Sequence, residues 1–172
     1  NLSNTSHLIN TIIEDSKTQH KKSICFLTGV PGAGKTLAGL NIANERLKAD
    51  ESEHSVFLSG NGPLVDVLRE ALTRDSVESA KKSGQRVSRT EAERKAKAFI
   101  QNIHHFRDDN LRTPHAPIEK VVVFDEAQRA WQKEQVSKFI QQKKGIPNFD
   151  MSEPEYLISV MDRHDDWCAI IC

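Results

Sequence analysis

Gly29-Val30-Pro31-Gly32-Ala33-Gly34-Lys35-Thr36 fits the pattern G-x-x-x-x-G-K-[ST] at every fixed position. Glycines let a backbone fold into a cup whose N–H groups point inward at an anion. A helix starting at the cup adds its positive N-terminal end to the same spot. In such a loop Gly29, Pro31, Gly32, Ala33 and Gly34 form the cradle of a nucleotide's phosphates. Lys35 is expected to reach the β- and γ-phosphates of ATP, and the Thr36 hydroxyl to ligate Mg²⁺. The flanks suit the motif. Ser23-Ile24-Cys25-Phe26-Leu27-Thr28 before it is a short apolar run of the kind found in buried parallel strands. After it, Leu37, Leu40, Ile42, Ala43 and Leu47 make a helical stripe uninterrupted by proline.

A second stretch completes the first: Lys120-Val121-Val122-Val123-Phe124-Asp125-Glu126-Ala127-Gln128. A β-branched run ending in two acids reads as a buried strand that delivers carboxylates to a site edge. Apolar strands ending in acids are common. Downstream of a phosphate loop this one gains a role for each acid. Asp125 is expected in the Mg²⁺ shell, and Glu126 to orient and deprotonate an attacking water. Gln128 is placed to sense the γ-phosphate.

The remaining chain supplies the frame. Residues 5–20 read as an amphipathic helix within an N-terminal segment 1–22, with Leu8, Ile9, Ile12 and Ile13 on one side. Its end, Thr18-Gln19-His20, reads as a solvated helix end or as a reader of an adenine edge. His54–Ser59 reads as a strand, and Pro63 suits the first turn of a helix carrying Leu64, Val65, Leu68 and Leu72. Alternating strands and helices argue for an α/β fold with a mostly parallel sheet and right-handed crossovers. Ser88-Arg89-Thr90-Glu91 opens a helix that continues through Phe99, Ile100, Ile103 and Phe106. Gln132–Lys144 and a segment opened by Ser152-Glu153-Pro154-Glu155 read as helices, and Trp167–Cys172 as a fourth strand. Strands are thus expected near 23–28, 55–59, 120–125 and 167–172. Phosphate-loop ATPases with a catalytic Glu place another strand between the loop strand and the Asp strand. The expected order therefore puts 167–172 between 23–28 and 120–125, with 55–59 outermost.

Residues 74–112 read as a helical, partly basic insertion in a single domain, 1–172. From Arg74 to Lys97 the segment is net positive, with little apolar periodicity before Ala92. Two readings stand. Lys81, Lys82 and Arg86 contact nucleic-acid phosphates, or the segment is a solvated excursion outside the sheet core. His104 and His105 project about 100° apart on a helix, which favours capping or packing over a shared metal.

The bulk properties exclude little. Lys+Arg and Asp+Glu are 24 each over 172 residues, so net charge points to no particular partner. Cys25, Cys168 and Cys172 form no C-x-x-C pair and lie in apolar runs, which reads as buried, reduced thiols of a cytoplasmic protein. No apolar run approaches the roughly 18 residues of a membrane span. The chain starts at Asn1 and stops at Cys172 within a strand-like run, so a fragment of a longer protein is expected.

Together the motifs resemble the first RecA-like domain of superfamily 1 helicases. Asp125-Glu126-Ala127-Gln128 looks like that superfamily's motif II. Ser59-Gly60-Asn61 looks like motif Ia, which touches single-stranded nucleic acid in relatives, and this implies a contact for Asn61. The likeness is closer still to the schlafen-type helicase-like ATPase domain, through Leu27–Asn41, Val56–Leu72, Asn102–Asp108, Val121–Trp131 and Glu155–Trp167. Asp125 to Trp131 and Val160-Met161-Asp162-Arg163-His164 are its more specific runs. The resemblance implies a three-layer RecA-like core that stops at its fourth strand. It also implies ATP and Mg²⁺ as cofactors, single-stranded DNA or RNA as partner, and a second RecA-like domain beyond Cys172. Without that domain's arginines, weak or absent hydrolysis is expected, and Arg129 points toward the missing half or the nucleic-acid groove. Two functions stay open: an ATPase motor on nucleic acid, or an ATP-dependent switch controlling an attached nuclease or partner. A small-molecule kinase is disfavoured, because such kinases usually lack a Glu directly after the Mg²⁺ Asp.

Overall fold

The computed structural model describes residues 2–30, 32–125, 132–147 and 149–172. Within them the elements run α1 (Leu2–Gln19), β1 (Lys22–Cys25), α2 (Lys35–Ala49), β2 (Val56–Ser59), α3 (Gly62–Lys82) and α4 (Arg89–Phe99). They continue with β3 (Ile100–Asn102), α5 (Ile103–Leu111), β4 (Val121–Asp125), α6 (Lys133–Lys143), α7 (Glu153–Met161) and β5 (Cys168–Ile171). All strand pairs are parallel, and the order is β1-β5-β4-β2-β3.

Both faces of the inner strands are covered, which is why β2, β4 and β5 read as unbroken apolar runs. The buried strand expected over 23–28 is corrected: β1 lies at the edge of the sheet, and Ile24 and Phe26 are exposed. On one face Val121, Val123, Phe57, Ala169 and Ile171 meet Ile9 and Ile13 of α1, Ile42 of α2, Val65 of α3 and Phe99 of α4. On the other, Val122, Phe124, Val56, Leu58 and Ile170 meet Phe106 of α5 and Tyr156, Leu157, Val160 and Met161 of α7. The result is a three-layer RecA-like α/β core. Gly39 brings α2 close to the sheet: a Cβ there would stand 2.9 Å from Val123 Cγ1 and 3.6 Å from Phe57 Cε2.

β5 lies between β1 and β4, as the sequence predicts. Two further expectations are corrected. The sheet has five strands, and β3 pairs outside β2, so 55–59 is not outermost. The helix expected from Ser88 through Phe106 is instead α4, a three-residue strand and α5. Asn102 makes the break: its extended backbone leaves β3, and its Oδ1 accepts from His104 N at 2.8 Å to cap α5.

The segment between β2 and β3 is a helical excursion. Gly62 starts α3 beside Asn102, at the C-terminal edge of the sheet. The helix runs back along the sheet, with Arg69 Nε donating to Ile100 O at 2.7 Å and Leu72 still packed against the core. From Arg74 the helix runs on to Lys82 for roughly 12 Å at helical rise. The chain turns at Gly84 and returns through α4, joined to α3 by Arg89–Glu70 at 2.7 Å.

The N-terminal edge of the sheet is clamped by the run after α7. Arg163 Nη1 donates to the carbonyls of Asn110, Thr113 and His115 at 3.2, 2.9 and 3.2 Å. His164 Nε2 bonds Glu119 O at 2.7 Å, and Lys22 donates to Asp162 at 2.8 Å. Residues 162–164 thus hold the side of the sheet opposite the phosphate loop. Among the described residues no helix is long and apolar enough to cross a membrane.

Candidate functional site

The loop leaves β1 at the C-terminal edge of the sheet. Pairing persists beyond the strand: Leu27 N donates to Cys172 O at 2.7 Å, and Cys172 N to Cys25 O at 2.9 Å. Ala33 N then bonds Val30 O at 3.1 Å to close the cup. Gly32 and Gly34 hold φ of +79° and +80°, which a side chain would strain. Space does not constrain Gly32, since a Cβ there meets nothing within 4 Å. Gly34 caps α2 without a side chain, and the first turn of α2 carries no acid. The positive helix end is therefore not offset within α2 itself.

Lys35 Nζ donates to Gly29 O at 2.7 Å and Val30 O at 3.1 Å. An ammonium has three donors, so two hold the side chain over the loop and one stays available for an anion. Thr36 Oγ1 donates to Asp125 Oδ1 at 2.9 Å and Oδ2 at 3.1 Å. This bond joins the loop to the end of β4 across the intervening strand β5. A hydroxyl and a carboxylate are hard oxygen donors of the kind Mg²⁺ takes, one or two per site.

Ser59, buried at the end of β2, is Asp125's register partner. Its Oγ accepts from Asn61 N at 3.1 Å, and Asn61 Oδ1 accepts from Leu64 N at 3.2 Å to cap α3. Asn61 therefore sits on the same sheet edge as the loop, with its side-chain oxygen engaged in the cap. Lys81, Lys82 and Arg86 lie at the tip of the excursion, beyond the opposite edge, and are exposed. The structure brings Gly29, Gly32, Ala33, Gly34, Lys35, Thr36, Asp125 and Asn61 to one edge and keeps those three cations away from it. Pro31, Glu126, Gln128 and Arg129 lie outside the described residues.

His104 Nδ1 bonds Glu153 Oε1 at 2.6 Å, and Arg107 Nη1 donates to the same oxygen at 2.7 Å. The histidine thus serves a network joining α5 to α7. Burial raises the Cys25 and Cys172 thiols above their ordinary range, so both stay protonated beside the loop. Asn102 is a site-edge residue that sequence reasoning missed. The signal for Asn102 was an Asn two residues before His104, a cap position inside an apparently continuous helix.

The strand order and the loop at the C-terminal sheet edge define the class, a RecA-like core. The family model described as Schlafen group 3, DNA/RNA helicase domain, matches residues 22–172, and the chain belongs to that family. No curated protein and no solved structure matches it.

Proposed function

We propose that this domain binds ATP with Mg²⁺ and hydrolyses it within a helicase-like protein acting on DNA or RNA. The observation that carries this reading is the Thr36–Asp125 bond, which puts a loop hydroxyl and a strand-end carboxylate at one point beside Lys35. In the proposed site the loop amides and Lys35 hold the β- and γ-phosphates. Thr36 and Asp125 turn their oxygens to the cation. Magnesium, when bound, offsets the phosphates' negative charge. Glu126, next to Asp125 in the chain, takes the proton of a water attacking the γ-phosphorus. β5 between the loop strand and the Asp strand supports hydrolysis over transfer to a small molecule.

Binding of a fluorescent ATP analogue tests the site: it is expected to need Mg²⁺ and to be lost in Lys35→Ala. Equal affinity in the variant defeats the assignment. Steady-state hydrolysis by this chain is expected to be weak, to rise with single-stranded DNA or RNA and to vanish in Glu126→Gln. Hydrolysis that ignores both nucleic acids favours the switch over the motor.

A further inference from the structure

The tip of the excursion is cationic in a way its shaft is not. Along the shaft, acids are interspersed with the cations and pair three of them, Arg74 with Glu70 at 2.6 Å, Arg89 with Glu70 and with Glu93 at 2.9 Å, and Lys95 with Glu91 at 3.5 Å, while Arg94 and Lys97 stand exposed beside those acids in α4. Between Glu78 and Glu91 the sequence has no acid. Lys81, Lys82 and Arg86 fall in that interval, all exposed, and their side chains have no partner among the described residues.

The tip is also built. Gly84, at φ +74°, donates from its N–H to Lys81 O at 3.2 Å, while Gln85 N donates to Ala80 O at 2.8 Å. These two bonds are a Schellman closure, which fixes the turn that carries the cations. Ala80 beneath it is buried. Two lysines at a helix C-terminus offset its dipole, and that accounts for Lys81 and Lys82 in part. It does not account for Arg86, which follows the turn.

We propose that this tip is a second nucleic-acid contact, separate from the nucleotide edge, and that it grips the phosphate backbone of a duplex. The choice of a duplex rests on what the tip lacks. Residues 79–90 contain no aromatic side chain on which unpaired bases would stack. A rigid set of cations without stacking platforms suits a regular, closely spaced row of phosphates read without sequence preference. The contact lies beyond the sheet edge opposite Lys35, so it does not depend on the ATP site.

The test is binding of the whole chain to short blunt DNA and RNA duplexes, and to a single strand of equal length, across a salt series. The triple variant Lys81→Ala, Lys82→Ala, Arg86→Ala is compared with a shaft control, Arg94→Ala, Lys97→Ala, which removes two exposed cations of α4. At about 50 mM salt the tip variant is expected to bind duplex at least about tenfold more weakly, and its salt slope to shrink by about 2–3. The shaft control and Lys35→Ala are expected to keep duplex affinity, and the tip variant to keep ATP-analogue binding. The DNA and RNA arms show which backbone is gripped more tightly. Any of four results overturns the proposal: no duplex binding by the unaltered chain, equal losses in tip and shaft variants, an equal loss for the single strand, or an acidic polypeptide that displaces duplex at lower charge concentration. Loss of ATP-analogue binding without loss of duplex binding in Lys35→Ala leaves this inference standing and bears only on the nucleotide site.

Discussion

Gly39 on α2 and Val123 on β4 approach so closely that one added methyl group has no room: a Cβ would lie 2.9 Å from Val123 Cγ1. Alanine at 39 gains helix propensity of about 1 kcal/mol. It must displace a β-branched side chain on a buried strand, and overpacking of that kind costs about 1–3 kcal/mol. Gly39→Ala is therefore expected to lower stability in urea by about 1 kcal/mol net. The double variant with Val123→Ala is expected to lose less than the two single losses added together. Additive losses would mean that the two residues do not compete for the same space.

Thr36→Ala removes the bond to Asp125 and leaves a carboxylate at the strand end without that donor. A hydrogen bond to a charged group contributes about 1.5–3 kcal/mol, and partial exposure here lowers that to about 1. Nucleotide-free Thr36→Ala is expected to unfold at lower urea by that amount, and its binding of an ATP analogue to lose most of its Mg²⁺ dependence. Thr36→Ser keeps the hydroxyl and is expected to behave as the unaltered chain in both assays. Retained Mg²⁺ dependence in Thr36→Ala would move the cation elsewhere.

Arg107 and Glu153 are both buried, and their pairing ties α5 to α7, while Asp108 holds Lys144 just after α6 at 3.0 Å. Removing one partner of a buried pair strands the other charge. Asp108 also contacts Arg107, at 2.9 Å, so Glu153→Ala is expected to cost about 2–4 kcal/mol, somewhat less than the usual range of about 3–5. Chemical denaturation measures it, and a loss below about 1 kcal/mol would show that Asp108 alone satisfies the arginine.

Acid should weaken the fold in two windows. Burial holds the His164 imidazole below its ordinary value of 6.5, so the folded state resists the proton that the unfolded chain accepts. Its contribution is whole above pH 6.5 and is lost as the pH falls below it. Asp50 and Asp166 are each held at about 2, first by hydrogen bonds from Lys17 and Lys120 respectively. Relative to 3.8 in the unfolded chain, their contribution is present above that pH and is lost toward 2, and exposure keeps it small. Thermal midpoints from pH 7 to 5 should fall more steeply for the unaltered chain than for His164→Gln. Parallel curves would place the upper window on another group.

The loop and the acidic strand end were legible because each rests on a strong local pattern, fixed glycines and a β-branched run; the inserted position of β5 followed from the Glu after Asp125, which in phosphate-loop ATPases goes with an intervening strand. β3 was not. Three residues are too few to show a strand's period of two, and Phe99, Ile103 and Phe106 happen to keep helical spacing across it. The same blindness covered Gly39, which in sequence is one more small residue in a helix and in space sets the distance between two layers. Arg163 and His164 stood out in the sequence, but the groups they bind are backbone carbonyls, which no side-chain pattern reveals.

The place of β5 has a consequence for how the molecule comes into being. β1 carries the phosphate loop and β4 carries Asp125, yet the two strands never touch; each is zipped to β5, whose residues 168–171 come last among the strands. While a ribosome is still making the segment before Cys168, the loop strand has no neighbour and the central gap in the sheet stands open. Non-local closure of this kind is slow. The Thr36–Asp125 bond bridges that gap, and in a refolding time course it is expected to form late, as β5 docks.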